Sequence, residues 1–301
     1  MLAAAASRDA SRLGGNLKHE LAIRPVREGA QRRWAAPMTV SDAHLEELRI
    51  AKGRLEATPF LIKVANAVGQ PLDRTVAALP SGAREAILTA TRAALDKGLE
   101  WALATVGTTR GTKSRPWLHT TVVTASGGVG GAFGWSALAV ELPFSTIVML
   151  RSIATIAQEN GEDLRTPEAR LQCLAVLSYG GPTSADDAAE TTYYGSRAAL
   201  STTLQRAATQ LTAALRGSEA SRAARVVAAF ISKVAARFGV VVQQKAIAQT
   251  VPVAGAIGGA ALNHLFIGHF QQIAQGHFTV RRLERIYGEA VVREAYASIE
   301  V

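Results

Sequence analysis

Helical periodicity is the feature that most constrains the fold of this 301-residue chain. Apolar residues recur at spacings of three, four and seven along successive segments, as expected for helices with one buried face. The clearest case is "GAREAILTATRAALDKGLEWALATV", in which the apolar positions are Ile87, Leu88, Leu95, Leu99 and Leu103. No segment alternates apolar and polar residues over the length of a strand. The sequence therefore predicts an all-α fold, a multi-helix bundle that contains two Gly-rich apolar helical segments.

Capping residues, prolines and glycines divide the chain into predicted elements. We predict a flexible basic tail over residues 1–37 and a single helical domain over residues 38–301. The first helix begins after Ser41 or Asp42, either of which can cap it. Further helices are predicted over 59–68, 73–79, 82–106, 167–177, 185–215, 219–249 and 252–275, with apolar segments on either side of Pro143. The closing "VRRLERIYGEAVVREAYA" predicts a helix, a break at Gly288 and a short last helix.

Two stretches carry no formal charge, one between Arg115 and Glu141 and one between Lys245 and Arg281. Both contain the pattern G-x-[VI]-G-G-A, and neither fits a phosphate-binding glycine motif, so no cofactor is expected. Glycines four apart on a helix let two backbones approach closely. The candidate contact glycines are Gly127, Gly131, Gly255 and Gly259. The contact can be a tight crossing inside a soluble bundle or a shallow membrane insertion, because polar residues of the second stretch disfavour a stable span.

The distribution of charge predicts an anionic partner. The chain has a net charge of +9, and no Asp or Glu occurs from Ala220 to Leu283. On a helical wheel, four cations of this region fall within about a third of the circumference, beside an apolar arc. They are Arg222, Arg225, Lys233 and Arg237. Such a helix suits an anionic membrane surface, or equally the solvated face of a bundle helix. A nucleic-acid partner is not expected, since no DNA-binding motif or aromatic ladder accompanies the cations.

The segment "DDAAETTYYGSR" holds the clearest polar cluster. Its members Asp187, Glu190, Tyr194 and Arg197 follow steps of three, four and three, which places them on one helix face. Glu141, the only acid between Lys113 and Glu159, is a candidate partner for Arg197. The cluster can be a buried polar lock, a ligand or headgroup site, or a catalytic site. No histidine at metal-ligand spacing accompanies the carboxylates, so a metal site is not expected.

Several segments, taken in order, resemble the EcsC protein family across roughly residues 45–290. They are "SGGVGGAFG" followed by "ELP" and "RSIATIAQENGEDL", then "DDAAETTYYGSRAAL", and last "VPVAGAIGGAALNHLFIGHFQQIAQGHFTVRRLERIYG". The chain departs from the family at Glu141, where Asp is frequent, and at Asn160, where Tyr is frequent. The resemblance implies a helical bacterial protein with a membrane association. It draws attention to Asp187, Glu190, Tyr194, Arg197 and Asn263, and His264 beside Asn263 is a further ligand-binding candidate.

Three functions remain open from the sequence. The first is a peripheral membrane or lipid-interacting protein, and the second is a hydrolase that uses Asp187, Glu190 and Glu141. The third is an accessory subunit of a membrane transporter, because the family is named for a component encoded beside an ABC transporter. A lone Cys173 and an N-terminus without a long apolar core predict a cytoplasmic protein, associated with the inner face of the membrane.

Overall fold

A computed structural model describes residues 39–56, 60–68, 82–104, 135–179, 193–217, 220–250 and 252–300. Within these ranges the chain forms nine α-helices and no strand, which confirms the all-α prediction. The helices are α1 (Asp42–Leu55), α2 (Phe60–Val68), α3 (Ala83–Ala104), α4 (Trp135–Glu159), α5 (Pro167–Tyr179), α6 (Tyr193–Leu215), α7 (Ala220–Thr250), α8 (Pro252–Tyr287) and α9 (Glu289–Ser298). The predicted tail over 1–37 and the predicted helix over 73–79 lie outside the described residues.

Helix α4 runs through Pro143, which the sequence places between two apolar segments. Proline removes one backbone donor and disfavours the interior of a helix. Tertiary packing outweighs that local preference here, because residues on both sides of the proline are buried in the same core. Leu142 on one side and Met149 and Ile153 on the other are at most 1% exposed.

Helix α8 is a single 36-residue helix from Pro252 to Tyr287. The prediction of an end at Gln275 was wrong, because Gly276 does not break the helix. It is instead the point where α8 touches α1. A Cβ built on Gly276 would lie 2.6 Å from Cγ of Leu55 and 2.9 Å from the carbonyl oxygen of Ala51. The predicted break at Gly288 is confirmed, since this glycine has a φ of +89° between α8 and α9.

Helix α8 is surrounded by other helices, since α1, α2, α4, α5, α7 and α9 all pack against it. One core cluster is built around its middle, where Phe266 and Phe270 meet Phe60 and Phe238 through edge-on and tilted ring contacts. A second cluster joins the end of α8 to α1 and α9. Helices α6 and α7 pack against each other, and α6 is followed by a turn at Arg216 and Gly217. This arrangement leaves the outer side of α6 and α7 exposed.

We expect Gly276→Ala to lower the free energy of unfolding by about 1–3 kcal/mol, the usual cost of overpacking, although alanine favours a helix. The new methyl group would press against Leu55 and the backbone of α1. The control is Gly268→Ala on the same helix, where nothing lies within 4 Å of the added Cβ. That variant is expected to gain up to about 1 kcal/mol from helix propensity. Urea denaturation measures both, and a gain in stability for Gly276→Ala would contradict the close contact.

Candidate functional site

A hydrogen-bonded chain of side chains joins α5, α6 and α8. The hydroxyl of Tyr193 lies 2.8 Å from Nδ1 of His277, and Nε2 of His277 lies 3.2 Å from Oε1 of Gln172. Arg197 donates from Nη1 to the Tyr193 hydroxyl at 3.4 Å. The same guanidinium binds both carboxylate oxygens of Glu284, at 2.6 Å and 2.7 Å. We call these five residues the α8 polar network.

The partners of His277 fix the direction of its hydrogen bonds. The carbonyl oxygen of Gln172 can only accept, so Nε2 carries the proton and donates, while Nδ1 accepts from the Tyr193 hydroxyl. That tautomer is the neutral imidazole. Burial holds the pKa of His277 well below its usual value, and the nearby charges of Arg197 and Arg281 lower it further. Burial also raises the pKa of the Tyr193 hydroxyl. The inner part of the network is therefore neutral and fully hydrogen-bonded.

Helices α1 and α9 cover the outer side of the network. The ring of Tyr194 meets the ring of Tyr296 edge-on with centroids 5.0 Å apart, and the Tyr194 hydroxyl donates to Glu284 at 3.4 Å. The Tyr296 hydroxyl in turn donates to Glu56, the residue that follows α1, at 3.1 Å. Lys52 of α1 donates to the carbonyl oxygen of Ile299 at 2.7 Å. These contacts tie α1 to α9 and α9 to Tyr194, which binds Glu284 of α8, and they support the interpretation of the network as a polar lock.

A second polar site is the ion pair between Glu141 of α4 and Lys245 of α7. The Lys245 Nζ donates to Oε1 of Glu141 at 2.7 Å, and the two side chains are 0% and 7% exposed. The ammonium also lies 4.7 Å from the ring centroid of Phe266 on α8. Burial lowers the pKa of Lys245, and the charge of Glu141 opposes that shift. Oε2 of Glu141 is buried and has no hydrogen-bond partner.

The two members of this pair border the uncharged stretches of the sequence. Glu141 is the first charged residue after Arg115, and Lys245 is the last before Arg281. The first uncharged stretch thus ends at Glu141 and the second begins after Lys245, and these two charged side chains are buried against each other. The pair therefore holds together two helices whose adjoining segments carry no charge.

The candidate residues predicted from the sequence do not form one site. Arg197 pairs with Glu284, whereas Glu141 pairs with Lys245 beside Phe266. Phe266 and Glu284 lie 18 residues apart on α8, a separation of about 27 Å along the helix axis at the usual helical rise.

The other candidates are distributed as follows. Asn263 is buried one turn before Phe266, and His264 is exposed. Asp187, Glu190, Gly127 and Gly131 lie outside the described residues. Gly255 and Gly259 lie in α8, and their helix contacts stay a prediction. Within the described ranges, no group of three or more His, Cys, Asp or Glu side chains could hold a metal ion.

Sequence reasoning missed the residues that complete both sites. Tyr193 lies in the polar segment that the sequence singled out, but its spacing places it off the face of Tyr194 and Arg197 considered there. Gln172 and His277 gave no signal, because each lies in a largely apolar stretch of helix whose orientation the sequence does not give. Lys245 and Glu284 did leave a signal in the charge pattern. Lys245 is the last charge before an uncharged stretch, and Glu284 is the first acid after the acid-free region. An isolated charge next to a long uncharged segment can therefore point to a buried pair.

The exposed side of α6 and α7 is basic. Arg222, Arg225 and Lys233 are exposed and Arg237 is half-buried. The adjoining apolar arc of α7 faces the core, with Phe230, Val234 and Phe238 fully buried. Residues 193–217 and 220–250 include no Asp or Glu, and the sequence between these two ranges carries one acid, Glu219. We call the exposed cations the basic hairpin surface, which comprises Arg206, Arg216, Arg222, Arg225 and Lys233.

Helix α7 also meets the length and composition expected of a membrane span. Among the described residues, the segment Ala220–Gln249 has a window of mean hydropathy 1.6, of which 50% is buried. A buried core helix of a soluble protein meets the same criteria, and α7 buries its apolar arc in the protein. The hydropathy of α7 thus does not by itself place the helix in a membrane.

The fold and its two buried polar sites define an all-helical protein organised around one long central helix. The chain belongs to the EcsC protein family, whose model matches residues 63–283. This range includes Glu141, Lys245, Arg197 and His277, while α1 and α9 lie outside it. No curated protein and no solved structure matches the chain.

The neutral state of His277 predicts a pH dependence of stability. Because its folded-state pKa lies well below the value of about 6.5 in an unfolded chain, only the unfolded chain takes up this proton as the pH falls. Below pH ~6.5 the residue therefore reduces stability by up to about 1.4 kcal/mol per pH unit. We expect His277→Asn to show a smaller loss of stability than wild type between neutral and acid pH in urea denaturation. His264→Asn, an exposed position on the same helix, is the control. Equal pH slopes for wild type and His277→Asn would contradict the prediction.

The buried pair predicts strong coupling between Glu141 and Lys245. Removing one partner leaves a buried charge without its counter-ion, which costs about 3–5 kcal/mol. We expect Lys245→Met to lose about that much and the double variant Lys245→Met with Glu141→Leu to recover most of it. Thermal and urea unfolding of the two single variants and the double variant give the coupling energy. Additive losses would show that the two side chains do not form this pair.

Proposed function

We propose that this protein is a peripheral membrane protein that binds anionic bilayers through the basic hairpin surface, on the cytoplasmic side. The observation that carries the proposal is the sign of the exposed charges on α6 and α7. Residues 193–217 and 220–250 contribute five exposed cations and no carboxylate, and Glu219 is the one acid in the sequence between them. A surface of one sign attracts a surface of the opposite sign, and each cation near an anionic leaflet adds about 1 kcal/mol.

Elsewhere in the described residues, acids stand among the exposed cations, and three of these cations form ion pairs with them. Arg49 pairs with Glu46, Lys97 with Glu100, and Arg165 with Asp163. Interspersed charges of both signs are typical of a surface that serves solubility. The absence of acids from α6 and α7 is therefore a local property and supports a binding role for this face.

An apolar side chain accompanies the cations at the end of the hairpin. Leu215 is 66% exposed, and Arg216 and Gly217 follow it in the turn. Membrane-surface helices combine cations for the headgroups with apolar residues that enter the interface. Leu215 supplies such a residue next to Arg216 and supports docking with this end of the hairpin toward the bilayer.

The proposal predicts that neutralising the hairpin cations weakens vesicle binding. We expect the triple variant Arg222→Gln, Arg225→Gln, Lys233→Gln to bind anionic vesicles on the order of 100-fold more weakly, since about 3 kcal/mol is removed. Co-sedimentation at low salt with vesicles that contain phosphatidylglycerol measures the partition coefficient. The matched control is Arg49→Gln, Lys97→Gln, Arg165→Gln, which has the same net charge and is expected to bind within about twofold of wild type because these cations lie outside the basic hairpin surface. Equal losses for the two triples, or no binding by wild type, would refute the proposal.

A further inference from the structure

Helix α9 is joined to α8 at a glycine with a left-handed backbone. Gly288 has a φ of +89°, and nothing lies within 4 Å of a Cβ built there. The junction therefore has space around it, and a glycine can change its backbone angles at little cost. Gly288 is also the N-cap residue of α9, and no side chain caps the helix. A helix of ten residues is marginally stable by itself, so α9 depends on its docking contacts to stay helical.

One face of α9 docks on the rest of the protein. Val292 and Tyr296 are buried, as is Ile299 directly after the helix. They belong to the core cluster that joins α1 to the end of α8. Most other side chains of α9 are exposed. Regions with few buried contacts open at a lower free energy than the core of a protein, so α9 can undock while the middle of α8 stays packed.

Lys52 of α1 holds the end of α9 in its docked position. Its Nζ donates to the carbonyl oxygen of Tyr296 at 3.1 Å and to that of Ile299 at 2.7 Å. The last carbonyls of a helix have no donor within the helix, so this ammonium supplies the missing bonds from a neighbouring element. It also lies 5.1 Å from the ring centroid of Tyr296. Removing the Lys52 ammonium should therefore loosen α9 selectively.

The docked α9 covers the outer part of the α8 polar network. The ring of Tyr296 lies 5.0 Å from that of Tyr194 and 5.9 Å from that of Tyr193. Tyr194 in turn donates to Glu284, which binds Arg197 through both carboxylate oxygens. With α9 in place, the side chains of Arg197 and Glu284 are 16% and 9% exposed. Release of α9 would remove the ring that covers Tyr194 and would open this side of the ion pair.

We propose that α9 is a releasable strap. It undocks as one unit about Gly288 while the other helices stay folded, and its position sets the access of solvent and solutes to Tyr194 and the Arg197–Glu284 pair. The range that matches the family ends at residue 283, before α9 begins. The hydrogen-bonded inner part of the α8 polar network lies on α5, α6 and α8 and does not include α9. The strap is separate from the basic hairpin surface and does not depend on membrane binding.

Hydrogen exchange of the full chain, resolved to single amides by NMR, tests the strap. A unit that undocks as a whole gives its amides one common opening equilibrium, whereas a fraying helix end gives protection that declines from residue to residue. We expect the amides from Val292 to Ala297 to share one protection factor, at least about 100-fold below that of the buried middle of α8. Graded protection along α9, or protection equal to that of α8, would overturn the proposal.

Two lysine variants connect the release of α9 to the surface beneath it. Lys52→Met removes both hydrogen bonds to the end of α9, so we expect α9 to exchange at least about tenfold faster and the middle of α8 to be unchanged. The control is Lys63→Met, which removes a lysine that donates to Gln272 of α8 at 2.9 Å and is expected to leave α9 unchanged. Nitration of Tyr194, measured by peptide mass spectrometry, is expected to rise together with α9 exchange in Lys52→Met. Equal α9 exchange in the two variants, or faster exchange without more nitration of Tyr194, would overturn the proposal.

Discussion

The burial of α8 on several sides is the constraint on which the rest of the structure depends. Six helices pack against it, so a polar side chain on most of its length must find a partner on another helix or remain buried without one. His277 meets Tyr193 and Gln172, Arg281 binds Glu162, and Glu284 binds Arg197. These cross-helix bonds fix the register of α5 and α6 against α8. The phenylalanines near its middle supply the apolar part of the same core.

The sequence predicted the elements of the fold better than their ends. Apolar spacing and the glycine break at Gly288 located the helices, because both are local properties of the chain. The wrong end at Gln275 arose where a tertiary contact overrides local preference, and the same kind of contact keeps a proline inside α4. Pro143 lies inside α4 because residues on both sides share one core, and Gly276 lies inside α8 because α1 approaches it closely. Neither contact can be deduced from the residues next to Pro143 or Gly276 in the sequence.

The candidate sites were predictable only in part, for a related reason. Helical spacing placed Tyr194 and Arg197 on one face, but the identity of the partner depended on which helix lies opposite. Glu284 fills that position, and Glu141 meets Lys245 instead. Charge pattern carried the remaining information, since both members of the buried pair border an uncharged stretch. Identifying partners on distant helices requires the packed structure, whereas an isolated charge beside an uncharged stretch can be recognised from the sequence alone.

The structure thus separates a buried interior that fixes the helices from an exposed basic face on α6 and α7 that we propose binds an anionic membrane. Hydrogen exchange of the full chain with and without phosphatidylglycerol vesicles tests this separation most directly. Proximity of a surface to a bilayer slows amide exchange there through reduced opening and solvent access. We expect slower exchange in the turn around Arg216 and the first turns of α7, and unchanged exchange in the buried middle of α8. Protection confined to other helices, or no change anywhere, would contradict membrane binding through the hairpin.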